Sequence, residues 1–305
     1  MSSVRRACLA SLVAALVVSG PTVSSQQVFR AGADATSVHV SVRQRGQPVP
    51  GLTAADFELT DNGVPQVIDA VTAGSVPIDV TLVLDTSASV SGPAIAQIRS
   101  DVQRISARLT AEDRVRVLSF SATVREAHPM RALIGQTELH LAAEGATAFY
   151  HALLAALLPP SEAGRPHLVV AMSDGDDNVS LLDGRDVLEL ARRSDAVLYV
   201  VLRATVASMG GTGWIPYSSP GDRNLVSQAT EVTGGRVSRM GFVAADVRPV
   251  NRVVEEFTKI IDEFRSSYVL WFKPSGVMLP GWHDLTVRVK RGNPTVTHRK
   301  GYFGR

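Results

Sequence analysis

A chain of 305 residues, 45% hydrophobic and 20% charged, has a globular composition with room for about two domains. Its 31 basic and 29 acidic residues nearly balance, which argues against nucleic acid or an anionic membrane as the partner. One cysteine, Cys8, excludes a disulfide framework, thiolate metal sites and, beyond the leader described next, a cysteine nucleophile.

The chain opens with Arg5 and Arg6, an uncharged run from Ala7 to Val18, then Gly20-Pro21 and the small residues Val23-Ser24-Ser25. These are the three regions of a secretory signal peptide, residues 1–25, with cleavage expected near Ser25 or Gln26. The apolar run is short for a transmembrane span, which makes an uncleaved anchor the lesser alternative. Without Arg5 and Arg6 the mature chain carries 29 basic residues against 29 acidic.

Val38, Val40 and Val42 alternate with His39, Ser41 and Arg43, predicting a half-buried strand. Phe57-Glu58-Leu59-Thr60 predicts a second, Asp61-Asn62-Gly63 a turn, and Gln66-Val67-Ile68 the start of a third. From Val80 the pattern changes to alternating buried strands and helices. Val80 to Leu84 is an apolar strand, and Ile95, Ile98, Val102, Ile105 and Leu109 mark an amphipathic helix over Pro93 to Leu109. Val115, Val117 and Leu118 give a strand, Ala146 to Leu158 a helix, and His167 to Met172 a strand. Val187, Leu188, Leu190 and Ala191 give a helix, and Ala196 to Leu202 a strand. Ser208 to Pro220 is a Gly/Ser/Pro-rich loop holding Trp214 and Tyr217, which are either binding anchors or packing over the sheet end. A helix over Asp222 to Thr230, a turn at Gly234-Gly235 into a short strand, and a last helix carrying Val253, Phe257, Ile260, Ile261 and Phe264 complete the pattern. Such alternation predicts a mainly parallel α/β sheet with helices on both faces. The tail departs from it: Tyr268, Leu270 and Phe272, then Leu285, Val287 and Val289, are strands with no helix between them. They are expected to pair with the strands of Val38 to Val71, so that both chain ends build one small antiparallel β domain. The expected layout is 26–76 and 266–305 as the two parts of that domain and 77–265 as the inserted α/β domain.

Three polar clusters fall at strand ends or helix starts, where open α/β sheets bind ligands. Asp85, Ser87 and Ser89 follow the first buried strand, Thr147 follows Gly145-Ala146, and Asp174-Gly175 follows the strand from Leu168. Oxygen ligands of this kind suit a hard cation such as Mg²⁺ and suit zinc or copper poorly. Helix capping explains each hydroxyl singly but not the recurrence at three such positions. Together these residues resemble the metal-ion-dependent adhesion site of the von Willebrand factor A (VWA) family. The leader Gly51-Leu52-Thr53-Ala54-Ala55-Asp56-Phe57 and the tail Arg299-Lys300-Gly301-Tyr302-Phe303 are similar to those of secreted bacterial proteins carrying an A-type domain. The resemblance implies a doubly wound, Rossmann-like fold and a divalent ion, Mg²⁺ or Mn²⁺, surrounded by Asp85, Ser87, Ser89, Thr147 and Asp174. It also implies one coordination position left for an Asp or Glu of a protein partner. His151 stands where relatives often have Asp.

The resulting expectation is a secreted or periplasmic, non-catalytic binding module. Two alternatives are a Mg²⁺-dependent hydrolase using Asp85 or Ser87, and an assembly subunit with a vestigial metal site. No His, Lys or Glu is paired with Ser87 in a recognisable motif, and the G-x-S-x-G elbow is absent. Asp176 and Asp177 read as an exposed acidic turn, with a second cation the lesser option. His128, His140, His151 and His167 lack metal-ligand spacing and read as surface or satisfied core residues, and Gly210 to Gly213 lacks the Lys of a phosphate loop.

Overall fold

A computed structural model describes residues 35–304, apart from 75, 91–92, 133–138, 163, 204–219, 241–251 and 279 and the side chains of 89, 93–94, 203 and 220–223. The signal segment and the Trp214 loop therefore lie outside the described residues. In chain order the strands and helices begin with β1 (Thr36–Gln44), β2 (Gln47–Pro48), β3 (Phe57–Asp61), β4 (Val64–Gln66) and β5 (Ile68–Ala73). Next come β6 (Asp79–Asp85), α1 (Pro93–Ser106), β7 (Arg114–Phe120), β8 (Val124–Arg131) and α2 (Phe149–Leu157). There follow β9 (His167–Ser173), α3 (Gly184–Arg193), β10 (Val197–Arg203), α4 (Pro220–Thr233), β11 (Val237–Met240) and α5 (Arg252–Arg265). The chain ends with β12 (Tyr268–Phe272), β13 (Gly281–Val289), β14 (Thr295–His298) and β15 (Gly301–Gly304).

Six strands form the central sheet in the order β11-β10-β9-β6-β7-β8, parallel throughout except for β8 at one edge. Strands β6 and β9 are buried along their whole length, because helices cover both faces of the sheet. Val80, Leu82 and Leu84 of β6 pack with Ile98, Val102 and Ile105 of α1 and with Phe257, Ile260 and Phe264 of α5. Val83, on the other face, joins a second core with residues of α2, α3 and α4. From β6 the chain steps one way to β7, and from β9 the other way to β10 and β11. The reversal opens a crevice at the carboxyl ends of β6 and β9.

The chain ends form two antiparallel sheets, β14-β1-β12-β5 with β2 beside β1, and β15-β13-β3-β4. Val38, Val40, Val42, Leu270 and Phe272 from one meet Phe57, Leu59, Leu285 and Val287 from the other in a shared core. The stretch Gln66-Val67-Ile68, expected as one strand start, instead divides between the sheets: Gln66 ends β4, Ile68 begins β5, and Val67 is exposed. Asn62 and Gly63 both take positive φ, 47° and 81°, as the two-residue hairpin turn between β3 and β4 requires. Strands β5 and β12, which lead into and out of the α/β portion, are direct neighbours. Beneath them, the Asp113 carboxylate accepts from the Ile78 N–H at 2.9 Å and pairs with Arg265, so entry and exit are tied at one point.

The resemblance motifs at the two ends have structural roles. Thr53 donates its backbone N–H and its hydroxyl to Asp56 Oδ2, both at 2.9 Å, fixing the turn that delivers Phe57 to the core. Arg299 is buried, donating to Asp195 at 2.9 Å and to the carbonyl oxygens of Ser194 and Gly301, which joins the sandwich to the end of α3. Arg193 of α3 lies 4.0 Å over the Phe303 ring. Tyr302 donates to Asp61 Oδ2 at 2.6 Å, and His283 Nδ1 meets Asp61 Oδ1 at 2.8 Å. Burial and the neighbouring Asp61 push the Tyr302 phenol above its ordinary pKa. All three side chains are buried, so the carboxylate is held only by these partners and cannot exchange them for water. Asp61→Ala leaves both without an acceptor and is expected to cost about 3–5 kcal/mol in urea unfolding. A loss below about 1 kcal/mol means that the triad is not holding the sandwich together.

Candidate functional site

Asp85 is the last residue of β6 and Asp174 immediately follows β9, so the two carboxylates flank the crevice at the reversal of strand order. Asp85 is only 1% exposed. Its Oδ1 accepts from the Ser87 N–H at 2.9 Å and its Oδ2 from the Ser173 hydroxyl at 2.9 Å. Among the described residues no Lys or Arg pairs with it. A buried carboxylate given two neutral donors and no cation is costly to keep charged.

Three loops meet here. The loop after β6 is joined to that before α2 by Ala88 N–H to Gly145 O at 3.1 Å and Glu144 N–H to Thr86 O at 3.0 Å. The loop before α2 is joined to the one after β9 by a reciprocal pair: Thr147 N–H donates to Asn178 Oδ1 at 2.8 Å, and Asn178 N–H to Thr147 O at 3.0 Å. Thr86 anchors the first loop on β7, donating its N–H and its hydroxyl to Phe120 O at 2.8 and 3.0 Å. Gly145 and Gly175 take φ of 71° and 87°, a left-handed backbone that glycine adopts without strain. Ser87 is buried in the bend after Asp85, and Thr147 is buried two residues before α2. Ser89 belongs to the turn Ala88–Val90, and its side chain lies outside the described residues.

The sequence pattern predicts this helix from Ala146, whereas α2 begins at Phe149. The Thr147 backbone groups are taken by Asn178, which holds that residue outside the helix. The N-cap position is Ala148, which has no side-chain oxygen, and Asp177 supplies the cap from the neighbouring loop. Its Oδ2 accepts from Tyr150 N–H at 2.8 Å and from the Ser180 hydroxyl at 2.7 Å, and its Oδ1 from Ser180 N–H at 3.0 Å. Asp177 is therefore half-buried and committed to α2, not part of an exposed acidic turn. His151 Nε2 accepts from Leu181 N–H at 3.0 Å, which binds the same loop further along. His167 is buried against the Thr81 hydroxyl at 2.8 Å, and burial pushes its pKa down to about 4, so it is a neutral core residue. His128 is buried with Nδ1 on Val115 O. Asp177→Ala is expected to lower stability by about 1–2 kcal/mol in thermal unfolding, as loss of a helix cap does.

Residues 80–178 match a family model described as VWA-like domain (DUF2201), a stretch running from β6 through the loop that contains Asp174 and Asn178. The chain carries a VWA-type domain. Solved structures with a similar fold include a von Willebrand factor type A protein from Catenulispora acidiphila, 11% identical, covering 90% of this chain and 74% of that one, with TM-score 0.48. Another is the ArnB paralog VWA2 from Sulfolobus acidocaldarius, 12% identical, covering 88% and 76%, with TM-score 0.45. A third is the conserved hypothetical protein BatB from Bacteroides thetaiotaomicron, 14% identical, covering 61% and 98%, with TM-score 0.41. A comparison with curated proteins gave no match. No helix among the described residues is long and apolar enough to cross a membrane.

Within the VWA domain the five candidate ligands comprise two carboxylates and three hydroxyls. Among the described residues no group of three or more His, Cys, Asp or Glu gathers in a metal-binding cluster. Hydroxyls, carboxylates and water are the donors that a hard cation takes. As an all-oxygen set, these two carboxylates and three hydroxyls would fit Mg²⁺ or Mn²⁺.

Proposed function

We propose that this protein is an exported, non-catalytic binding module. Its VWA domain uses Mg²⁺ or Mn²⁺, held by Asp85, Ser87, Ser89, Thr147 and Asp174, to capture an Asp or Glu of a protein partner. The observation that carries the reading is Asp85 itself, a carboxylate 1% exposed at the switch point with two neutral hydrogen bonds and no basic side chain among the described residues. A divalent cation supplies the missing positive charge, and two carboxylates bring it to neutrality without oversaturating it, so it keeps attraction for a third. The ion's part is to accept the partner's carboxylate. The chain's part is to fix the ligands on three hydrogen-bonded loops, which lowers the ordering cost of binding. Export rests on Arg5, Arg6 and the apolar run that follows them.

Isothermal titration of the mature chain with Mg²⁺ and with Mn²⁺ tests the reading. One saturable site is expected. A flat titration with both ions removes the metal from the account, and with it the acidic partner.

A further inference from the structure

Beside the candidate site runs a short apolar ridge that is exposed among the described residues. Val179, Leu181 and Leu182 are exposed, Leu181 to 93%, and these three lie within four consecutive residues. Isolated exposed hydrophobics are ordinary, whereas a cluster on one loop marks a contact surface. The loop is held in this posture at several points: Ser180 is bonded to Asp177, Leu181 N–H to His151 Nε2, and Asp183 N–H to Asp186 Oδ2 at 2.9 Å. Exposure is thus built into a constrained backbone, which keeps the ordering cost of contact low.

The ridge is continuous with the site. Asn178, whose carboxamide bonds the Thr147 N–H, immediately precedes Val179. Leu181 is three residues beyond Asn178, so at most about 11 Å of backbone separates them. An extended partner segment covers the same distance in about three residues. We propose that Val179, Leu181 and Leu182 form the apolar half of the docking surface, and that the partner is a protein segment with a bulky aliphatic or aromatic residue about three positions from its metal-directed carboxylate. This rests on the metal-site reading above, because the ion fixes where the carboxylate sits. Covering one such leucine strengthens binding by about tenfold to a hundredfold.

The test is selection of a displayed library of short random peptides on the full mature chain in Mg²⁺, and in parallel on the double variant Leu181→Ser, Leu182→Ser and on Asp85→Ala. Both leucines are solvent-exposed, and unchanged thermal unfolding of the double variant confirms that its fold is kept. The proposal predicts peptides pairing Asp or Glu with Leu, Ile, Val or Phe about three positions away. On the double variant the acid should persist and the apolar preference vanish, with parent-selected peptides bound at least about tenfold more weakly. On Asp85→Ala both preferences should be lost. Acid enrichment with no apolar neighbour overturns the ridge and leaves the metal site standing. Apolar enrichment that survives chelator and Asp85→Ala overturns the metal site and the combined surface with it. Cosedimentation of the parent, but not the double variant, with anionic lipid vesicles would reassign the ridge to a membrane and overturn the proposal.

Discussion

Asp85→Ala is expected to abolish the binding of Mg²⁺ and Mn²⁺ in calorimetry. It removes one of only two candidate carboxylates, from a position where burial makes each charge count most. The parent chain at a metal concentration about a hundred times its Kd gains about 2.7 kcal/mol of stability, and the variant gains none. Thr147→Ala loses less affinity, because water can replace a neutral hydroxyl. Chelator separates this account from simple helix capping. If Asp85 served only to receive the Ser87 N–H and Ser173 hydroxyl, the alanine variant would lose the same stability with and without metal. The metal account places a further loss in the metal-containing sample alone.

Removing residues 266–305 is expected to unfold the N-terminal strands while they remain attached to the VWA domain. Strand β1 sits between β12 and β14, β3 pairs with β13, and β5 pairs with β12. Without the tail, β1 keeps only the two residues of β2, and β3 keeps only β4. Two-stranded remnants of this kind are not stable alone in water. Their shared core also loses Tyr268, Leu270, Phe272, Leu285, Val287 and Tyr302. Hydrogen exchange followed by mass spectrometry is expected to show residues 35–73 exchanging rapidly in the truncated chain and slowly in the parent. Slow exchange of that stretch in both would mean the N-terminal unit folds independently.

Much of the fold was legible because its strands write their environment into their side chains. Val38, Val40 and Val42 alternate because one face of β1 meets the other sheet, and β6 and β9 are unbroken apolar runs because both faces are covered. Strand β8 was not read from sequence. It is an edge strand carrying Glu126, His128 and Pro129, with mostly partly exposed residues, so it lacks both apolar patterns. The candidate ligands Asp85 and Asp174 were visible as polar residues ending apolar strands. Asn178 and Asp177 were not visible in their working roles, because each acts on a loop or helix about thirty residues away in the chain, on Thr147 and Tyr150. Local sequence can suggest that an Asp caps something, but it cannot say which helix. The beginning of α2 is hidden from local sequence for the same reason, since the contact that holds Thr147 out of the helix is tertiary.

The central claim is that one divalent ion sits at the carboxyl ends of β6 and β9. Its most direct test is an anomalous difference map from crystals of the mature chain grown with Mn²⁺. The account predicts a single strong peak within coordination distance of side-chain oxygens of Asp85, Ser87, Ser89, Thr147 and Asp174, some through water, and no peak there in Asp85→Ala crystals. Saturable Mn²⁺ binding in solution with no peak at these residues, or with a peak elsewhere on the chain, would contradict it.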